Sequence, residues 1–121
     1  INHIIDIGSG TINMATFKNR RFINAQSKTI PRGLEDIEYD YSTIAEMIRN
    51  HAQELEWNIN DNVYLCGGGA KILYSYLSKL FEQCQILHPV LRNVKYQPEL
   101  ANAIGFYKLG VRLWESPIVS R

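Results

Sequence analysis

The stretch His3-Ile4-Ile5-Asp6-Ile7-Gly8-Ser9-Gly10-Thr11-Ile12-Asn13-Met14-Ala15-Thr16-Phe17 decides how the rest of the chain is read. Its first part is a short apolar run ending at Gly8, the pattern of a buried strand. Ser9-Gly10 is a turn. From Thr11 to Phe17 there is partial alternation with β-branched residues, so a second strand follows. A strand after the glycines excludes the dinucleotide-binding fingerprint, in which a helix opens on them. No GxxxxGK[ST] loop occurs anywhere in the sequence either.

A hairpin turn with two glycines has another use. Gly8 and Gly10 carry no side chain to keep a ligand away, so backbone N–H groups there can approach phosphate oxygens. Ser9 and Thr11 can add hydroxyl donors. Asp6 leaves the buried strand at the same place. A carboxylate beside phosphates needs a cation between them, and Mg²⁺ held partly through water is the natural one. The plain alternative is an ordinary hairpin with a solvated Asp.

Working outward, Lys18-Asn19-Arg20 reads as a polar turn and Arg21 to Gln26 as the third strand of a meander. Residues 27–40, with Pro31 and Gly33, read as loop with a short strand at Ser27 to Ile30. Asp40 or Ser42 caps a helix whose apolar face is Ile44, Met47, Ile48, His51, Ala52 and Leu55. His51 is expected at the boundary of that face, hydrogen-bonded and not a ligand. Val63 to Cys66 is a fourth buried strand, ended by Gly67-Gly68-Gly69. The next helix places Leu73, Tyr76, Leu77 and Leu80 on one face, with Ile72 and Phe81 beside them. Gln85 to Leu87 is a fifth strand, stopped by Pro89. A loop from Val90 to Gln97 leads to Pro98, a helix from Glu99 to Leu109, and Gly110 as its C-cap.

The order β-β-β-α-β-α-β-α defines an α/β fold, with a three-stranded meander plus parallel strands in one mixed sheet flanked by helices. Ligands in such sheets bind at the carboxyl ends of strands, where both glycine clusters lie. The second cluster is Leu65-Cys66-Gly67-Gly68-Gly69-Ala70-Lys71-Ile72. Gly67, Gly68 and Gly69 leave a surface without side chains, against which a base or ribose can lie. The helix N-terminus adds partial positive charge toward a phosphate. The Lys71 stem can cover a purine and its amine can reach a ribose hydroxyl. A tight strand-to-helix turn with no ligand is the plain alternative.

A chain of 121 residues suits one compact domain, and 45% apolar residues suffice for one core. A net charge of +1 gives no electrostatic case for a nucleic-acid or anionic-membrane surface. Cys66 and Cys84 form no CxxC pair and no zinc-ligand spacing, so two reduced, buried thiols in a cytosolic protein are expected. No apolar run approaches the roughly 20 residues of a membrane span. The N-terminal run lacks the basic leader of a signal peptide. The chain opens on Ile1 almost inside a strand, and is expected to be a fragment or cut domain.

The two glycine clusters together resemble the actin/heat-shock-chaperone/sugar-kinase superfamily of ATPases. Asp6-Ile7-Gly8-Ser9-Gly10-Thr11 resembles its second phosphate loop, and Leu65-Cys66-Gly67-Gly68-Gly69-Ala70 its adenosine motif. The element order matches its ribonuclease-H-like core, over roughly residues 2–110. Ile5 to Asn13 is similar to the loop of bacterial plasmid-segregation actins, the ParM-like proteins. Pro98 to Gly110, with Ala101-Asn102-Ala103 and Gly105, resembles the hinge helix after their adenosine loop.

The resemblance implies that residues 1–110 are the second, C-terminal nucleotide-binding domain of an actin-like ATPase, with residues 111–121 as a tail. It implies Mg²⁺ and ATP in a cleft between two halves, hydrolysis coupled to closure, and filaments for plasmid segregation. Asp6 would face Mg²⁺ through water, Gly8, Ser9, Gly10 and Thr11 the phosphates, and Gly67, Gly68, Gly69 and Lys71 the nucleoside. The main catalytic acid, the first phosphate loop and the first hinge helix would belong to the missing N-terminal half. Half a cleft cannot position an in-line attack, so negligible ATPase activity is expected of this chain alone. The implied partners are that half, further copies in a filament, and DNA through an adaptor protein; the location is cytoplasmic, with no membrane.

One departure is the short stretch between the third and fourth strands, where actin and many relatives carry an extra subdomain. It leaves polymer geometry and nucleotide preference open. Two other functions fit the superfamily: a non-polymerising scaffold of cell division or pilus assembly, and a sugar-kinase or exopolyphosphatase-type phosphotransferase. The latter usually carries insertions that build a substrate pocket, and none is seen here. Trp57, Tyr39, Tyr41 and Trp114 are candidates for an exposed filament contact, with packing on the domain edge as the plainer reading.

Overall fold

The computed structural model describes residues 1–19, 21–35 and 40–87, and the backbone of 90–91 and 94–95. Strand β1 (Asn2–Ile7) is central, which explains its unbroken apolar run: both of its faces are covered. On one side it pairs antiparallel with β2 (Ile12–Lys18), with Asp6 opposite Asn13. On the other it pairs in parallel with β5 (Asn62–Cys66), with Asp6 opposite Cys66. Strand β6 (Gln83–Ile86) continues the parallel part beyond β5. The sheet runs β3-β2-β1-β5-β6, and β4 also pairs with β2.

The expected third strand from Arg21 to Gln26 is cut short to β3 (Arg21–Phe22), a 3₁₀ turn follows at Asn24–Gln26, and the short strand expected at Ser27 to Ile30 is present as β4 (Lys28–Ile30); both strands lie on β2. The cause is a competing hydroxyl. The Thr16 N–H donates to Ser27 Oγ (3.0 Å), and Ser27 Oγ donates back to the Ile23 carbonyl (2.8 Å). These bonds draw residues 24–26 off the ladder.

Helix α1 (Tyr41–Glu54) starts where Asp40 caps it, accepting from the Thr43 N–H and the Ser42 hydroxyl, each at 2.8 Å. Ile44, Ala45, Ile48 and Ala52 are its buried residues. His51 lies at the boundary as expected, its Nδ1 2.9 Å from the Lys28 ammonium. Helix α2 (Ala70–Leu77) buries Ala70, Leu73 and Leu77. Both helices share one core with Ile5, Ile7, Ile12, Met14, Val63 and Leu65 of the sheet. Ile4, Phe17, Tyr64, Cys66 and Leu87 cluster on the opposite face.

Several expectations change in detail. Helix α2 ends before Leu80 and Phe81, and Ile72 is 41% exposed and not part of its packed face. Strand β6 begins at Gln83, two residues before the expected start. The loop expected at 90–97 contains a small antiparallel ribbon, β7 (Val90–Leu91) with β8 (Val94–Lys95). Cys66 is buried, whereas Cys84 is half-buried; both are free thiols, and burial pushes Cys84 up to about 11. The helix read at Glu99 to Leu109, its Gly110 cap and the 111–121 tail lie outside the described residues.

Trp57 is not an exposed contact residue. It is buried, stacked on the His3 ring at 3.9 Å between centroids, and its Nε1–H donates to the Gln26 carbonyl at 2.9 Å. His3 is fully buried beneath it, with Nδ1 2.8 Å from Thr16 Oγ1 and Nε2 2.8 Å from Asp61 Oδ2. This cluster ties β1, β2 and the α1–β5 connection together at the end of the sheet away from the glycines.

Burial holds His3 below its ordinary pKa, against the opposing pull of Asp61. The unfolded chain therefore binds more protons between the folded pKa and roughly 6.5, so stability falls as pH drops through that window. The thermal midpoint, followed by circular dichroism, is expected to fall from about pH 7 to about pH 5, with a shallower slope in His3→Gln. Equal slopes in the two proteins would contradict this role.

Candidate functional site

Asp6 is the penultimate residue of β1, and alternation turns it to the face opposite the helices. Cross-strand, it stands between Asn13 of β2 and Cys66 of β5. The residue is 3% exposed. Asn13 faces it directly across the ladder, and Thr29 Oγ1 donates to Asn13 Oδ1 at 2.7 Å. Asp6 Oδ1 has no hydrogen-bond partner among the described residues. Burial raises the Asp6 pKa above the ordinary carboxylate value, and the facing Asn13 side chain opposes that. A buried carboxylate oxygen without a donor costs about 1–3 kcal/mol or more, so it calls for a reason beyond packing.

The β5–α2 loop is pressed onto this point. Gly67 sits at φ +87°, and a Cβ there would lie 2.5 Å from Asp6 Oδ1 and 2.6 Å from the Ile7 carbonyl oxygen. A Cβ on Gly69 would lie 2.4 Å from Ile7 Cγ2 and 2.7 Å from Leu34 Cδ1. The Gly69 N–H donates to the Ile7 carbonyl at 2.9 Å. The two glycine clusters thus form one continuous seam. Of the triplet, Gly68 alone is exposed, and a Cβ there would meet nothing within 4 Å. Gly67 and Gly69 serve close backbone packing, and only Gly68 offers the bare surface expected of all three.

The helix N-terminus is also partly committed. The Gly69 and Ala70 N–H groups donate to the Ile7 and Gly67 carbonyls, so these two are not turned toward an outside anion as the strand-to-helix reading expected. Lys71 is exposed in the first turn of α2.

The hairpin turn has the opposite character. The Gly8 N–H closes it on the Thr11 carbonyl at 2.9 Å. The Gly8 and Ser9 carbonyls accept from the Leu34 and Glu35 N–H groups, at 3.0 and 3.1 Å. With those carbonyls occupied, the N–H groups of Ser9, Gly10 and Thr11 bond to nothing among the described residues, and all three residues are exposed. A turn whose acceptors are filled and whose donors are open favours an anion. Sequence reading missed the buttress that produces this polarity. Gly33 is buried, and a Cβ on it would stand 2.1 Å from the Ser9 carbonyl carbon. The only signal was a glycine two residues after Pro31 in a polar loop.

No group of three or more His, Cys, Asp or Glu side chains gathers to hold a metal among the described residues. A cation at the seam would meet a single carboxylate among the described residues, that of Asp6. That donor set fits Mg²⁺, which keeps its waters and leans on substrate phosphates. Tyr41, 45% exposed, packs edge-on against Tyr76 at 6.3 Å; Tyr39 and Trp114 lie outside the described residues.

A mixed sheet with two helices and this seam defines an actin-like fold, and comparison with solved structures agrees. The chain matches AlfA from B. subtilis plasmid pLS32, in its filament structure, with a TM-score of 0.71 and 18% identity over 87% of this chain and 37% of that one. It matches apo pSK41 ParM with a TM-score of 0.68 and 22% identity, over 97% of this chain and 42% of that one. It matches an AlfA filament bound to AMPPNP with a TM-score of 0.65 and 19% identity, over 89% and 39%. The chain spans less than half the length of each. At these identities the likeness establishes the fold, and it bears out the resemblance to ParM-like proteins at that level. No protein-family model matches the chain, and no curated protein does.

The seam makes a clear demand on its glycines. Gly67→Ala is expected to destabilise the chain by about 1–2 kcal/mol or more, from the left-handed backbone and the clash with Asp6. Gly68→Ala is expected to stay within about 0.5 kcal/mol of the parent. Denaturant unfolding of both variants checks the contrast, and equal losses would contradict the packing described.

Proposed function

We propose that this chain is the second nucleotide-binding domain of an actin-like ATPase that binds Mg²⁺ and ATP between two halves and polymerises into filaments for plasmid segregation. The observation that carries the reading is the seam itself. Asp6 Oδ1 is buried with no partner among the described residues, beside a turn whose N–H groups are open among them, where two glycine clusters distant in sequence meet. The AlfA filament structure with AMPPNP supports it, because a protein of this fold binds a nucleotide.

In this reading residues 1–110 form the domain, of ribonuclease-H-like type, and 111–121 a tail. The strand order β3-β2-β1-β5-β6 supports that type. Asp6 orients a water of the metal shell. The N–H groups of Ser9, Gly10 and Thr11, with the Ser9 and Thr11 hydroxyls, hold phosphate oxygens, and Gly8 shapes the turn. Gly68 faces the nucleoside with Lys71 over it, and Gly67 and Gly69 place that loop. Bound Mg²⁺ would neutralise charge on the phosphates during in-line transfer. The acid that positions the attacking water comes from the other half, so this chain alone has negligible turnover. The protein works in the cytoplasm, its partners are that half and further copies, and it meets DNA through an adaptor.

Asp6 links function to stability with a definite sign. Its folded pKa is raised, so at neutral pH its ionised form weakens the ligand-free fold, and that penalty disappears as pH falls below roughly 3.9 and the carboxyl protonates in both states. Asp6→Asn is therefore expected to raise the thermal midpoint at neutral pH and to converge with the parent in acid. A lower midpoint at neutral pH would count against the charge being uncompensated.

The function itself is tested by sedimentation of the full-length protein with Mg²⁺-ATP, with Mg²⁺-ADP and without nucleotide, beside an Asp6→Ala control. ATP-dependent pelleting that is lost in the control is the expected result. Nucleotide binding with no pelleting across concentration and salt would remove the filament part of the proposal.

A further inference from the structure

We propose that Gly33 and Leu34 are positioning residues that hold the two nucleotide-facing loops in register, Gly33 aiming the N–H groups of the phosphate turn and Leu34 backing the nucleoside loop at Gly69. This role rests on the nucleotide reading above and extends it to a loop outside both glycine clusters.

Strand β4 ends at Ile30, opposite Ile12, so the chain leaves the sheet beside the turn at 8–11. It then gives two N–H groups to that turn. Leu34 donates to the Gly8 carbonyl and Glu35 to the Ser9 carbonyl, at 3.0 and 3.1 Å. No peptide bond among the described residues is cis. In a trans peptide the carbonyl and the N–H of the next residue point in opposite directions. The Ser9 and Gly10 N–H groups are therefore turned away from the 33–35 loop. Successive backbone donors aimed the same way are what an anion takes.

Gly33 allows the loop to come this close. Its φ is not positive, so its own backbone would accept a side chain. The obstacle is the neighbour. A Cβ at 33 would stand 2.1 Å from the Ser9 carbonyl carbon, 2.3 Å from its oxygen and 2.4 Å from the Gly10 nitrogen. All three atoms belong to one peptide unit, and backbone cannot yield as the tip of a side chain can. A methyl group there displaces or turns that peptide, and the Gly10 N–H moves with it. Leu34 serves the other loop. Its Cδ1 lies so near Gly69 that a Cβ there would stand 2.7 Å from it, and its side chain packs against the core shared by both helices. One residue thus bonds the phosphate turn through its backbone and supports the nucleoside loop through its side chain.

The test is competition against a fluorescent ATP analogue bound to the full-length protein with Mg²⁺. The competitors are adenosine and inorganic tripolyphosphate, and the proteins are the parent, Gly33→Ala and Leu34→Ala. In Gly33→Ala tripolyphosphate is expected to compete roughly tenfold or more worse, corresponding to one lost hydrogen bond to a charged group, with adenosine within about twofold of the parent. Leu34→Ala is expected to give the reverse, a several-fold loss for adenosine with tripolyphosphate unchanged. A loop with a merely structural role would weaken both competitors together, so equal losses overturn the proposal, and so does unchanged competition in both variants. A parent that binds no analogue sinks the nucleotide reading instead. In that case, or where Gly33→Ala does not fold, amide hydrogen exchange in the ligand-free full-length parent decides. The Leu34 and Glu35 amides should exchange slowly and those of Ser9 and Gly10 fast; equally fast exchange at all four overturns the positioning.

Discussion

The close approach of the β5–α2 loop to the end of β1 is the constraint on which the rest depends. The Gly69 N–H reaches the Ile7 carbonyl at 2.9 Å, and Gly67 lies so near Asp6 that any side chain there would collide with the carboxylate. Backbone can pack this tightly only where Cβ atoms are missing. The contact joins residues far apart in sequence and sets where α2 begins. It also covers Asp6, which raises the cost of its charge and leaves one oxygen unanswered.

The sheet has two differently satisfied ends. At one end His3 is buried with both ring nitrogens bonded and its face stacked on Trp57, so a polar group in the core is fully answered. At the other end Asp6 has a buried oxygen with no partner among the described residues. Native cores seldom leave a buried polar atom unpaired, and where they do the exception points to a ligand or a catalytic role. The 33–35 loop sharpens the contrast by occupying the carbonyls of Gly8 and Ser9 and leaving the turn rich in donors.

Much of this was legible before any coordinates. The unbroken apolar runs located β1 and β5 because strands covered on both faces need no polar alternation. The helical spacing located α1 and α2, and Asp40 marked a start because its oxygen reaches the Thr43 N–H. The glycine clusters were legible as tight turns at strand ends because few other residue types fit them. The early end of the third strand was not, since it arises from Ser27 bonding to the backbone of Thr16 and Ile23. Trp57 read either as an exposed contact or as packing on the domain edge, because its place in the core depends on a stacking partner 54 positions earlier. Gly33 read as loop because the atoms that require it belong to Ser9.

The sequence by itself determined the α/β order, the two helix faces and the identity of the residues that gather at the carboxyl ends of the strands. These follow from local periodicity and from the stereochemistry of glycine, which a chain carries with it. Only the tertiary structure decided which glycines pack and which one is bare, which N–H groups remain open, and that Asp6 keeps one unpaired oxygen. Those outcomes depend on distances between segments that are remote in the chain, and such distances exist only once the sheet has formed.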